Sequence, residues 1–263
     1  MSYELVHRRR QIIELGALFV YSLFVSWFVF VTRIGFTEYI LLFALPPLVY
    51  LLTRLGRYAL RTIFEAIFFS LFFVAGADII AHITGAWVIS GSLGYKFFAT
   101  TYLDNFIWGV LYSGYIIAGY QYFFDRYKTR SLNPKFRHFV IVLFIFNVIF
   151  SGGSALALVF NDFGANFFYF SVLVPMMLFT AFVLYGTPHL RHKVLVWALL
   201  VFIASVIYDY VAISLEHWTF NTNSYLFMFP FAGHMVPIEE ILWLFFAVTV
   251  TVCVHEVLVD DDK

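Results

Sequence analysis

Apolar residues run through this chain in long blocks, separated by short clusters of charge, glycine and proline. A membrane-spanning helix needs about 20 mostly apolar residues. Eight stretches approach that length, at about 12–32, 37–53, 59–84, 104–124, 138–160, 167–186, 195–215 and 237–257. The second is short and carries Pro46-Pro47, which membrane helices tolerate when neighbours re-satisfy the freed carbonyls. The pattern predicts an all-α, polytopic membrane bundle of about eight helices.

The cations give that count a direction. With the N-terminus inside, fourteen of the sixteen Lys and Arg residues fall on the inner side and only Arg33 and Lys96 fall outside. Cytoplasmic loops concentrate Lys and Arg, so the prediction is a multi-pass protein of the cytoplasmic membrane with both termini in the cytoplasm. The longest inner connection, Arg126 to Arg137, divides the chain into repeats at 1–130 and 131–263, each with four helices, and reads as an anchor. His7-Arg8-Arg9-Arg10 precede an apolar run too long for a signal peptide and without a small-residue cleavage site, so it reads as a retained first span.

Composition narrows the function. The chain is 62% hydrophobic and 12% charged, with a mean hydropathy of +0.87, against about 25% charged residues in soluble domains. A zero net charge without a basic patch gives no reason to expect nucleic acid. Neither GxGxxG nor GxxxxGK[ST] occurs, so no nucleotide cofactor is implied. The one cysteine, Cys253, sits in an apolar run, which excludes an internal disulfide and argues against a thiolate site. Neither HExxH nor a repeated ExxH occurs, so no metal is expected.

The polar residues inside the spans form a pattern that appears twice. Asp78 precedes Trp87 by nine residues, and Asp104-Asn105-Phe106-Ile107-Trp108 opens the next span; Asp209 precedes Trp218 by nine, and Glu239-Glu240-Ile241-Leu242-Trp243 opens the last. Copies of four helices run in the same direction, related by an axis along the membrane normal. Asp78 and Asp209 lie roughly 9 Å below the outer surface at 1.5 Å per residue. Asp104, Glu239 and Glu240 stand at the outer starts of the returning helices, so all five acids share one leaflet and predict an acidic chamber between the halves.

His82 lies four residues after Asp78, on the same helical face, and joins the candidates. His217, in the loop beside Glu216 and Trp218, is a weaker one. His255-Glu256 are expected at the inner surface, and Glu65 is expected to pair with Arg61. Acids, aromatic faces and a dry apolar space suit alkene protonation. A buried carboxylic acid gives a proton to a polyene, the rings of Trp87, Trp108, Trp218 and Trp243 stabilise the cation, and a paired carboxylate removes a different proton.

Pro237 suits the first turn of a helix, and one glutamate there would suit the helix dipole; a second at membrane depth calls for a function. The run Pro237-Ile238-Glu239-Glu240-Ile241-Leu242-Trp243-Leu244-Phe245-Phe246, after an aromatic loop and the Asp209-to-Trp218 segment, resembles the Pro-x-Glu-Glu motif of the lycopene cyclase domain. That family comprises the membrane-embedded, heterodimeric-type carotenoid cyclases of bacteria and archaea. The resemblance runs from Asp209 to Glu256. It implies a small helical domain used twice, redox-neutral cyclisation of a linear carotene end, no cofactor, an isoprenoid or carotenoid substrate taken within the lipid bilayer, and a homo- or hetero-oligomeric assembly.

Carried over, the motif makes Glu239 and Glu240 the acid/base pair. Leu103-Asp104-Asn105 replaces Pro-Glu-Glu in the first half, so that half is expected to support rather than react. Asp78, Asp104 and Asp209 then orient or tune the pair, and the four tryptophans, His82 and Asn105 bind substrate. A retinal protein is disfavoured because no lysine lies in a span. A proton-coupled transporter stays open, but predicts polar access from both sides, whereas the inner half offers little beyond Glu65. A carotenoid hydratase, capturing the same cation with water, stays open as well.

Overall fold

The computed structural model describes residues 3–97, 101–125, 134, 137–145, 149, 166–220 and 225–258. Helix α1 (Tyr3–Thr32) ends at Arg33, and α2 (Phe36–Leu55) continues through Pro46-Pro47 to Gly56, whose φ of 59° breaks the helix. A 3-10 turn (Gly56–Tyr58) leads into α3 (Ala59–Phe69), a π-helical stretch (Ser70–Val74) and α4 (Ala75–Thr84). These three helical pieces run on without a break through the predicted third span. Gly85, at φ 65°, stops α4 by taking the left-handed conformation that a residue with a Cβ disfavours.

Helix α5 (Leu103–Phe123) follows, then a helical stretch at 137–145. The rest of the predicted fifth span and most of the basic loop between Arg126 and Arg137 lie outside the described residues. The chain continues with α6 (Asn166–Gly186), α7 (Pro188–Ser214) and α8 (Ile238–Leu258). Helix α7 begins seven residues before the predicted span, with Pro188 in its first turn, where its missing N–H costs nothing.

Among the described residues, four helical stretches are long and apolar enough to cross a membrane: Arg8–Thr32, Phe36–Phe69, Pro188–Ser214 and Ile238–Val257. The fold is a helical bundle of the kind found in membrane proteins. Short strands, which the sequence reading did not anticipate, cap one end in three two-stranded ribbons. β1 (Trp87–Ile89) pairs with β4 (Trp218–Phe220), β2 (Lys96–Phe97) with β3 (Thr101–Tyr102), and β5 (Met228–Phe231) with β6 (His234–Pro237), all antiparallel. Ala232 and Gly233, both at positive φ, make the two-residue hairpin turn between the last pair.

The helices pack in two groups. α5 packs on α2 and α3, α8 packs on α6 and α7, α5 and α8 touch each other, and α1 lies on α7. Because lipid is as apolar as leucine, close packing and internal hydrogen bonds hold such helices together. Trp197 shows both: it is fully buried, its indole N–H donates to the Ile116 carbonyl at 2.9 Å, and its ring occupies the space a Cβ on Gly119 would need, 2.3 Å away. Gly109 brings α5 equally near the π-helical stretch, where a Cβ would fall 2.6 Å from Val74.

Candidate functional site

At the strand-capped end, Asp209 and Glu240 line one chamber with Asn105 and all four predicted tryptophans, Trp87, Trp108, Trp218 and Trp243. Val74, Ala77, Ile89, Phe220 and Leu244 complete its wall. Asp209 is 1% exposed and its Oδ2 has no hydrogen-bond partner among the described residues. The pairing of β1 with β4 brings Trp87 and Trp218 over the chamber. Its register sets Trp87 opposite Phe220, Val88 opposite Thr219 and Ile89 opposite Trp218.

Glu239 and Glu240 do different things. Successive residues on a helix point about 100° apart, so only one of the two can face the chamber. Glu240 does; Glu239 turns to the outer loop, where its Oε1 accepts the Leu226 N–H at 2.7 Å. The Asp104-Asn105 helix start shows the same division. Asp104 Oδ2 accepts the Leu93 N–H at 2.9 Å and the Thr37 hydroxyl at 3.0 Å, while Asn105 faces the chamber. In each half, then, the first polar residue of the pair ties down a loop and the second is presented to the cavity.

Asp78 is buried behind the chamber wall. It accepts the Trp87 indole N–H at 3.3 Å, with Asn105 and Thr101 beside its carboxylate. It thereby holds the indole of Trp87, a residue of the chamber wall. Asp209, expected to play the same part, stands in the chamber itself.

The histidines need correction. His82 is exposed and takes no part in the chamber, because four residues advance a helix by about 400° and so carry it some 40° past Asp78. His217 is buried in the strand-side loop, not in the chamber. Its Nε2 meets the Ile34 carbonyl at 3.1 Å, its ring lies edge-on to Phe36, and its own carbonyl receives the N–H groups of Ser90 and Gly91. Burial pushes its pKa below the usual histidine range, and the Ile34 carbonyl opposes that shift.

His255 and Glu256, expected at the surface, are buried at the opposite end of the bundle. Tyr120 donates to Glu256 at 2.5 Å, and Gln121 meets His255 at 3.2 Å. His255 Nδ1 lies 2.7 Å from Glu65, which pairs with Arg61 at 3.1 Å as predicted. The expectation that this end offers little besides Glu65 is overturned. A clue lay in the chain: the offset of 135 that relates Asp104 to Glu239 also relates Tyr120 to His255 and Gln121 to Glu256. Sequence reasoning also missed Tyr112, whose hydroxyl meets Ser205 at 2.9 Å and whose ring stacks on Trp108.

Among the described residues no group of three or more His, Cys, Asp or Glu side chains gathers as a metal site would require. The chamber's functional groups are two carboxyl groups, one amide and four indoles, in a position to exchange protons with an apolar guest and to stabilise positive charge on it. No protein-family model, curated protein or solved structure matches the chain.

Proposed function

We propose that the protein is a redox-neutral cyclase acting on the end of a linear, lycopene-like carotenoid within the membrane, with Asp209 and Glu240 as the acid/base pair. The observation that carries this reading is that both carboxyl groups face one chamber walled by four tryptophans. Two carboxyl groups in a dry site do not both ionise easily. The protonated member delivers its proton to the terminal alkene and leaves a tertiary cation. A neighbouring double bond attacks that cation to close the ring, and the positive charge moves to the ring carbon. The ionised member removes a proton from the carbon next to it, so the molecular formula is unchanged. Indole faces stabilise the passing cation. The resemblance of residues 209–256 to the lycopene cyclase domain supports the same chemistry, with one change: Asp209 replaces Glu239 as the partner of Glu240.

We read the chain as a duplicated four-helix unit with eight spans, both termini on the cytoplasmic side and the chamber on the outer side. Three features support the duplication. The β1–β4 register is its own mirror under exchange of the halves, the packing of α5 on α2 and α3 matches that of α8 on α6 and α7, and the Tyr120–Glu256 and Gln121–His255 pairs exchange with each other.

A proton-coupled transporter is the second reading, and the buried Glu65–His255 network favours it. Against it, the apolar side chains of Ile116, Ile117, Val248 and Val252, all fully buried, lie along α5 and α8 between that network and the chamber. Expression in a lycopene-accumulating bacterium, followed by pigment chromatography, tests the proposal. Wild type is expected to convert lycopene to a cyclic isomer, and Glu240→Gln and Asp209→Asn to leave it unaltered. A product heavier by one water would indicate the hydratase instead, and unaltered lycopene in the wild type would refute both for this substrate.

A further inference from the structure

Three cavities adjoin one another in a line. The chamber shares Trp108, Asp209 and Leu244 with a second cavity, which shares Ser22, Tyr115 and Ala204 with a third. The third lies in the seam between α1 and α7, bounded by Gly16 and Phe19 on one side and Trp197 and Leu200 on the other. Ile12 and Phe19 at its edge are exposed, and both belong to a stretch apolar enough to cross a membrane. From Asp209 to Trp197 is twelve residues of α7, about 18 Å at 1.5 Å per residue.

The lining between these ends is largely apolar, with the Tyr208 hydroxyl buried and lacking a hydrogen-bond partner among the described residues. Tyr112 is engaged with Ser205, and Ser22 donates to the Leu18 carbonyl at 3.1 Å. Among the described residues no Lys or Arg lines any of the three cavities, so none of them would hold a phosphate or carboxylate headgroup there. The second and third cavities meet at Ser22, Tyr115 and Ala204, two of them small residues. Such a lining suits an extended hydrocarbon chain and not a charged one.

We propose that the α1–α7 seam is the doorway and tail-binding site for a long linear hydrocarbon chain. Its end lies at Asp209 and Glu240, its middle passes Ala204, and its tail leaves into the bilayer beside Gly16. This rests on the reading of the acid pair as the reacting end. It adds that the guest arrives sideways from lipid, and that a chain much shorter than the passage fills only the chamber.

The test is retention of lycopene, as the linear probe, by full-length protein extracted and affinity-purified from pigmented membranes. It is read as bound pigment per protein. Glu240→Gln serves as the background, so that binding is measured without turnover. Ala204→Phe is placed where the second and third cavities meet. Gly16→Phe is placed at the doorway, where an added Cβ meets nothing within 4 Å, so it tests the site even if Ala204→Phe misfolds. Leu23→Phe, on the exposed face of α1 away from all three cavities, is the control. Gly16→Phe and Ala204→Phe are expected to keep less than about a tenth of the pigment, a tenfold loss corresponding to about 1.4 kcal/mol of binding, and Leu23→Phe to keep all of it. Equal retention by Gly16→Phe and the control, or no retention by the parent protein, overturns the proposal. If the wild type retains lycopene through this seam but leaves it acyclic, the tail site stands and the proposed chemistry fails.

Discussion

The two helix starts Asp104-Asn105 and Glu239-Glu240 occupy matching places and differ by one functional group at the chamber. In both, the leading carboxylate holds a loop N–H, Leu93 in one half and Leu226 in the other. In both, the following residue faces the cavity, as an amide in the first half and a carboxyl group in the second. Both helix starts anchor a loop, while only the second presents a carboxyl group to the chamber. On the proposed reading the chemistry falls to Asp209 and Glu240 and the architecture to Asp78 and Asn105, even though an adjacent glutamate pair looks like the reactive unit when read along the chain.

The comparison breaks most easily at the second position. Glu240→Gln, which makes this half resemble the first, should lower cyclisation by about 10²–10⁴-fold, the usual contribution of a positioned general acid or base, with the folded yield unchanged. If Glu240→Gln retained wild-type turnover, the division between the halves would have no chemical meaning.

The leading positions should instead respond alike. Glu239→Gln and Asp104→Asn each weaken a hydrogen bond to a charged acceptor, worth about 1.5–3 kcal/mol. Both should lower thermal stability and speed proteolysis in the strand-side loops while turnover persists. A loss of turnover in Glu239→Gln as deep as in Glu240→Gln would return Glu239 to the reacting pair.

Packing that the two halves do not share gives a smaller effect. Gly119 lies under Trp197, and position 254, related by the same offset of 135, is Val254. Gly119→Ala should cost about 1–3 kcal/mol through overpacking, measured as a lower unfolding midpoint in detergent, because a ring hydrogen-bonded to Ile116 cannot move away cheaply.

The smallest effect is one of pH. His217 is held neutral by burial, so the unfolded chain takes up a proton at higher pH than the folded one. The stability due to the neutral ring is complete above the unfolded histidine pKa of about 6.5 and declines as pH falls below it. His217→Gln should flatten that decline, seen as a melting temperature less dependent on pH in mildly acidic buffer.

Much of this organisation is legible in the sequence. Asp78, Asp209 and the four tryptophans could be placed together because their spacing repeats and because ionisable groups at membrane depth are costly enough to need a reason. What could not be read was helical phase at the edge of an element. Whether Glu239 or Glu240 faces inward, and whether His82 follows Asp78 into the site, depends on rotations of 100° and 40° that spacing alone does not anchor. The short strands escaped notice because three or four residues carry too little periodicity. His255 and Glu256 were misplaced because the end of α8 packs against α5, a tertiary contact that leaves no trace in local hydropathy.

The most direct test of the central claim is pigment chromatography of lycopene-accumulating cells expressing wild type, Glu239→Gln or Glu240→Gln at matched protein levels. The account predicts cyclic product from wild type and from Glu239→Gln, and only lycopene from Glu240→Gln. Cyclic product from Glu240→Gln, or its loss in Glu239→Gln alone, would contradict it.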